Sequence, residues 1–224
     1  MEVKKQPKII SIEGNIGSGK STLINNLKKK YNNNKICFLD EPLSIWESIK
    51  DMDGNSMLTK FYDNKQKYAF AFQMMVYISR ISLLKQALKQ NYDIIITERT
   101  IYSDKEVFAK MLYDDKKIED VEYSIYLNWF NEFIQDIPPI SYIYLKTDPL
   151  VANRRVLIRA RNGENIPIEY LKSCSDYHDN WLNTIETTET KNPILILNAN
   201  HDIVKNEYIL FEWIEDIDKF INSL

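Results

Sequence analysis

Residues Gly14 to Thr22 read Gly-Asn-Ile-Gly-Ser-Gly-Lys-Ser-Thr and satisfy the pattern Gly-x-x-x-x-Gly-Lys-[Ser/Thr]. An apolar-rich run, Lys8 to Ile12, precedes them, and a helix-permissive stretch, Leu23 to Lys30, follows. Strand, glycine loop and helix start together aim backbone N–H groups and the positive end of a helix dipole at one point, where an anion binds. Gly14, Gly17 and Gly19 let the backbone come close to that anion, and Asn15, Ile16, Ser18 and Thr22 complete the loop. Lys20 would reach the outer phosphates of a nucleoside triphosphate, and Ser21 would offer its hydroxyl to Mg²⁺.

A second group of reactive side chains follows other apolar runs. Asp40-Glu41-Pro42 comes after Lys35 to Leu39, where the proline ends the strand and leaves a carboxylate. Glu98-Arg99-Thr100 comes after Asp93 to Thr97, with Tyr102 and Asp104 just beyond. Glu41 has the chemistry of a general base for an alcohol nucleophile. Glu98 is a candidate Mg²⁺ ligand, and Arg99 could hold an attacking hydroxyl or offset the charge of a transferring phosphoryl group. Each of these alone would also serve as a solvated loop charge; together at successive strand ends beside a phosphate loop, they describe a site.

In the helical pattern from about Phe61 to Lys89, a period of 100° per residue places Tyr62, Gln73 and Arg80 within about 20° of one stripe, with Val76 some 40° to 60° away. An amide can pair with a nucleobase edge while Phe72 or Tyr62 supplies flat apolar surface. The same residues also fit an ordinary helix surface with Phe72 in the core, which periodicity alone favours. Arg155 and Arg159 lie one helical turn apart, with Arg154 and Arg161 beside them. Guanidinium groups bind phosphate oxygens bidentately and stay charged, so such a cluster in a lid can close over a triphosphate.

The elements that must position these groups are legible as five short β-branched runs, Lys8 to Ile12, Lys35 to Leu39, Asp93 to Thr97, Ser141 to Leu145 and Pro193 to Leu197. They alternate with helical patterns near 21–30, 59–90, 103–135, 149–160, 167–190 and 204–222. Alternation of this kind predicts a doubly wound α/β fold with a five-stranded parallel sheet, binding its ligands at the carboxyl ends of the strands. The 224 residues fit one domain, 1–224. A net charge of −3 argues against a nucleic acid polymer as partner. Two cysteines make no disulfide framework and fit a reducing compartment. No apolar run approaches the ~20 residues of a membrane span. The short stretch before the first strand leaves no room for a presequence, so a soluble, cytoplasmic protein is expected.

With these residues assembled, the chain resembles the deoxyribonucleoside kinases of the deoxycytidine, deoxyguanosine and deoxyadenosine kinase type. The resemblance runs from the first strand through Trp181. It rests on Gly14 to Thr22; on Glu41-Pro42 with Trp46; on Tyr62, Phe72-Gln73 and Arg80; on Glu98 to Asp104; and on Arg155-x-x-x-Arg159-x-Arg161-Asn162-x-Glu164-x-x-Pro167. It implies a P-loop kinase fold with a short arginine-rich lid at about 154–166, ATP as donor, Mg²⁺ as cofactor and a homodimer joined through helices. It further implies that Glu41 takes the proton of the 5′-hydroxyl, Arg99 orients that hydroxyl, and Glu98 and Ser21 hold Mg²⁺. Gln73 would bond the base, Phe72 would stack on it, Trp46 would wall the pocket, and Tyr62 with Glu164 would bind the sugar 3′-hydroxyl. Arg155, Arg159 and Arg161 fall on the family's lid arginines. Gly163-Glu164 stands where many members have two acidic residues, and Thr100 replaces the serine of a Glu-Arg-Ser motif. An Arg and an Asp at positions 80 and 104 go with cytosine or purine substrates, whereas the branched Val76 accompanies a thymidine-type pocket. Deoxycytidine or a deoxypurine is therefore expected, with thymidine as the alternative within the family.

A nucleoside monophosphate kinase such as thymidylate kinase needs a cationic acceptor pocket near the second strand, where this chain has Glu41. A GTP-binding switch protein needs a late Asn-Lys-x-Asp, and Asn64-Lys65-Gln66-Lys67 lacks the aspartate and comes too early.

Overall fold

A computed structural model describes residues 6–160, 166–187 and 192–224. Five strands, β1 (Lys8–Gly14), β2 (Ile36–Leu39), β3 (Ile94–Glu98), β4 (Ile140–Lys146) and β5 (Ile194–Asn198), form one sheet in the order β2-β3-β1-β4-β5. Every pairing is parallel, with Ile10 opposite Ile96 on one side and Ser141 on the other. All five predicted strands are present, and the order reverses at β1, so the loop after β1 opens at the switch point where ligands of such sheets bind.

Side chains alternate across the sheet. Ile10 and Ile12 face the layer built by α1 (Lys20–Lys30) and α10 (Glu207–Ser223), packing with Leu23, Leu27, Trp213 and Ile217. Ile9, Tyr142 and Tyr144 face the opposite layer, with Leu84 of α4 (Lys65–Leu88) and Leu182 of α9 (Ile168–Thr187). A helix on each face buries a central sheet whose strands are apolar on both sides. Ser11 and Glu13 are the buried polar exceptions in β1: Glu13 accepts from the Ser11 hydroxyl at 2.6 Å and the Thr100 hydroxyl at 3.1 Å.

The helices depart from the sequence reading in three places. The stretch 59–90 is two helices, α3 (Met57–Asp63) and α4, because the Asn64 side chain accepts from the Lys67 N–H and caps a fresh helix start. Tyr62 consequently sits on α3, off the stripe that holds Gln73 and Arg80. The stretch 103–135 is likewise divided. After a short α5 (Ile101–Ser103), residues Asp104–Ala109 form a π-helical turn, followed by α6 (Lys110–Asp114) and α7 (Asp120–Ile134). Lys116 at φ 57° turns the chain between α6 and α7, and the reciprocal bonds of Glu119 and Glu122 start α7. The third departure is α2 (Leu43–Ser48), a single turn and a half after Pro42 that carries Trp46 into the interior. Beyond β4, α8 (Pro149–Arg159) begins with the Asp148 side chain accepting from the Leu150 N–H. Among the described residues no helix is long and apolar enough to cross a membrane.

Candidate active site

At the carboxyl edge of the sheet lies a cavity of about 440 Å³. The segment from Ile16 to Thr22 lines one end. Gly19 enters α1 at φ 100° with no side-chain cap, so the first N–H groups of α1 keep their donors for a ligand. A Cβ on Gly17, at φ 79°, would stand 2.5 Å from the Ala152 carbonyl oxygen, which only glycine avoids. Gly14 and Asn15 lie beneath the loop. The Asn15 amide donates to the Leu171 carbonyl at 2.7 Å and so ties the loop to α9.

Lys20 folds back over this loop, donating to the carbonyls of Gly14 at 3.2 Å and Asn15 at 2.9 Å. Burial, and then the charge of Arg99, lower its ammonium pKa to about 7, against the opposing pull of Glu98, Glu41 and Glu13. The Ser21 hydroxyl donates to Glu98 Oε1 at 2.9 Å, joining the two oxygens that sequence reading assigned to a cation. Arg155 donates to the carbonyls of Ser18, Ala199 and His201 at 3.3, 2.8 and 2.8 Å. It thus clamps the loop to the segment after β5, a bridging arrangement that helix periodicity could not show. Arg159 lines the cavity. Arg161 and Glu164 fall outside the described residues.

The other end is made of side chains. Glu41, just past β2, has Oε1 3.6 Å from Arg80 Nη2 and 3.9 Å from Arg99 Nε. Arg80 donates from Nε to Asp104 Oδ2 at 3.0 Å and from Nη1 to the Glu98 carbonyl at 2.6 Å. Its placement on α4 and that of Asp104 at the start of the π-helical turn bring about a buried, charge-assisted pair. Arg99 is held in the left-handed region at φ 65°, its N–H bonded to the Ile12 carbonyl at 3.1 Å, a strained setting of the kind found at working sites.

The walls between these ends are apolar. Phe72 stacks on Phe61 at 4.2 Å and meets the Trp46 ring edge-on at 6.0 Å, so one of its faces is already covered. Trp46, Tyr62, Val76 and Gln73 all line the cavity. Gln73 is 2% exposed and its Oε1 has no hydrogen-bond partner among the described groups, a buried acceptor on a cavity-lining residue that a ligand donor could satisfy. Sequence reading missed Leu58, Phe108 and Tyr170 along this wall, and Ile158 and His201 to Val204 beyond the glycine loop. The first group and Ile158 of α8 carried no motif; His201 to Val204 follow β5 and could have been found from the rule that strand ends bind ligands.

A parallel α/β sheet with an anion-binding glycine loop, opening on a cavity that also holds a carboxylate and two arginines, defines a nucleotide-dependent phosphotransferase. The sequence model of one family, deoxynucleoside kinase, matches residues 10–222. The chain is 38% identical to a probable deoxycytidine kinase of Fowlpox virus, over 97% of this chain and 89% of that protein. It is 31% identical to the deoxycytidine kinase of Homo sapiens, over 97% and 92%, and 32% identical to a mitochondrial deoxyguanosine kinase of Xenopus laevis, over 90% and 84%. The chain belongs to the deoxynucleoside kinase family.

Proposed function

We propose that the protein transfers the γ-phosphoryl group of ATP to the 5′-hydroxyl of deoxycytidine or a deoxypurine in nucleotide salvage, as a single domain spanning the chain. The observation that carries this reading is the placement of Glu41 between Arg80 and Arg99 in the same cavity as the glycine loop. In this reading Glu41 accepts the hydroxyl proton as the oxygen attacks, and Arg99 orients that hydroxyl. Lys20 leaves the loop carbonyls for the β- and γ-phosphates, while Arg159 and Arg161 offset the transferring charge. Tyr62 and Glu164 take the sugar 3′-hydroxyl. Gln73 Oε1 accepts from the base, and Phe72 and Trp46 wall it.

Ser21 and Glu98 form a small, hard oxygen set, which suits a Mg²⁺ ion that draws its remaining ligands from water and phosphate. When bound there, the ion would neutralise phosphate charge. The buried Arg80–Asp104 pair supports a base with an exocyclic amino group, which donates to Asp104, whereas a 5-methyl group would press on a charged pair. Val76, one helical turn before Arg80 and also in the cavity, supports thymidine as the second reading.

The test is a transfer screen with ATP labelled in its γ-phosphoryl group and deoxycytidine, deoxyadenosine, deoxyguanosine, thymidine, thymidylate and water as acceptors. Label on the first three is expected; label mainly on thymidylate or as free phosphate would refute the reading. Two further assignments stand with it. Exposed Val121, Ile125, Trp129 and Phe133 recur every fourth residue along α7, with Ile78 exposed on α4, which supports a homodimer through these helices. Replacing Trp129 by Glu should then halve the mass seen by light scattering, and a monomeric wild-type protein would contradict it. Both cysteines are free, which fits the cytoplasm, and cell fractionation that finds the protein in an oxidising compartment would overturn that placement.

A further inference from the structure

His178 lies on α9 with its side chain wholly enclosed. Its Nδ1 is 2.6 Å from the Cys174 carbonyl oxygen one turn earlier, and its Nε2 is 3.2 Å from Arg99 Nη1. A carbonyl only accepts and a guanidinium only donates, so one state satisfies both contacts: Nδ1 carries the proton and Nε2 accepts. A second proton on this ring would set N–H against N–H and cation against cation. Burial first, then the charges of Arg99 and Lys20, hold the imidazole well below its ordinary pKa, opposed by the Cys174 carbonyl. The ring is fixed in turn. Tyr144 of β4 lies parallel to it at 6.2 Å, and Phe108 of the π-helical turn meets it edge-on at 6.0 Å.

Phe108 also lies beneath the Arg99 guanidinium, at 4.7 Å. Arg99 is therefore bounded on three sides, by Phe108, by His178 and by Glu41 at 3.9 Å. The Glu41 contact is too long to fix a side chain with an arginine's rotamer freedom to lose. The His178 bond is within hydrogen-bonding range and its acceptor is immobile.

We propose that His178 is a positioning residue: its Nε2 accepts from the Arg99 guanidinium and holds that cation over Phe108, on the side of the cavity that Glu41 faces. The inference rests on the reading of Arg99 as the group that orients the acceptor hydroxyl.

Glutamine and methionine at position 178 have the same length, and both lose the bond to Cys174. Only glutamine presents an acceptor to Arg99. His178→Gln should keep kcat within about threefold of the wild type, and His178→Met should lower it about 10- to 100-fold, the cost of a misplaced group, with the KM for ATP unchanged. Combined with Arg99→Ala, the two variants should turn over equally. Equal kcat for the Gln and Met variants, beside a large loss in Arg99→Ala, would overturn the role of His178 and leave that of Arg99 standing. Wild-type turnover in Arg99→Ala would instead remove Arg99 from the mechanism, and this proposal with it. The chain has only two histidines, so ¹⁵N spectra of the wild-type protein give an answer independent of any variant. His178 should show the Nδ1–H neutral form throughout roughly pH 5–8, and a titrating ring or an Nε2–H form would refute the assignment.

Discussion

The two ends of the cavity are made of different material. At the donor end, successive residues of one loop present backbone N–H groups, Gly17 and Gly19 sit at φ 79° and 100°, and even Lys20 and Arg155 spend their donors on main-chain carbonyls. At the acceptor end, Glu41, Arg80, Arg99 and Asp104 come from four separate elements and meet through side chains. Backbone groups bind any phosphate of the right shape. Side chains from separate elements can be exchanged singly, so in the proposed reading the choice of acceptor and base belongs to that end.

The sharpest way to break this division is Glu41→Gln. It should lower kcat by the 10²–10⁴ typical of general-base catalysis while calorimetry finds ATP binding little changed. Parallel losses in both would mean that the ends are not independent. A smaller effect is expected from Arg80→Met combined with Asp104→Ala, which removes the buried pair and should shift relative kcat/KM toward thymidine by about tenfold or more. A wild-type enzyme that already prefers thymidine would refute the base assignment.

The smallest effect concerns the donor end. The lowered pKa of Lys20, about 7, should rise when phosphate replaces the loop carbonyls. ATP binding should then take up a proton above pH 7, and affinity should fall as pH rises from there, by at most about tenfold per pH unit. Titrations in buffers of different ionisation enthalpy measure that uptake, and a null result would remove the lysine from the phosphates.

How much was legible in the sequence follows the same division. The loop is contiguous and the five strands are continuous apolar runs, so local pattern alone located each strand to within one or two residues. The breaks in the helices were missed because they depend on single side chains: Asn64 caps α4 and moves Tyr62 onto another helix, and Lys116 in the left-handed region ends α6. The π-helical turn that carries Asp104 and Phe108 has no sequence signature that periodicity detects. Glu41, Arg99 and Asp104 were found as carboxylates and an arginine after strands, but the 3.0 Å pairing of Arg80 with Asp104 is a tertiary fact. The same holds for His178, an ordinary residue in a polar helix until the fold sets it against Arg99.

The most direct test of the account compares deoxycytidine with deoxycytidylate as acceptor for the wild-type enzyme. The two share base and sugar and differ only in whether the 5′-oxygen already carries a phosphate. An acceptor end built around Glu41 as proton acceptor should phosphorylate the nucleoside and leave the monophosphate essentially untouched. Comparable kcat/KM for the monophosphate would show that this end is built for a phosphate acceptor and would contradict the account.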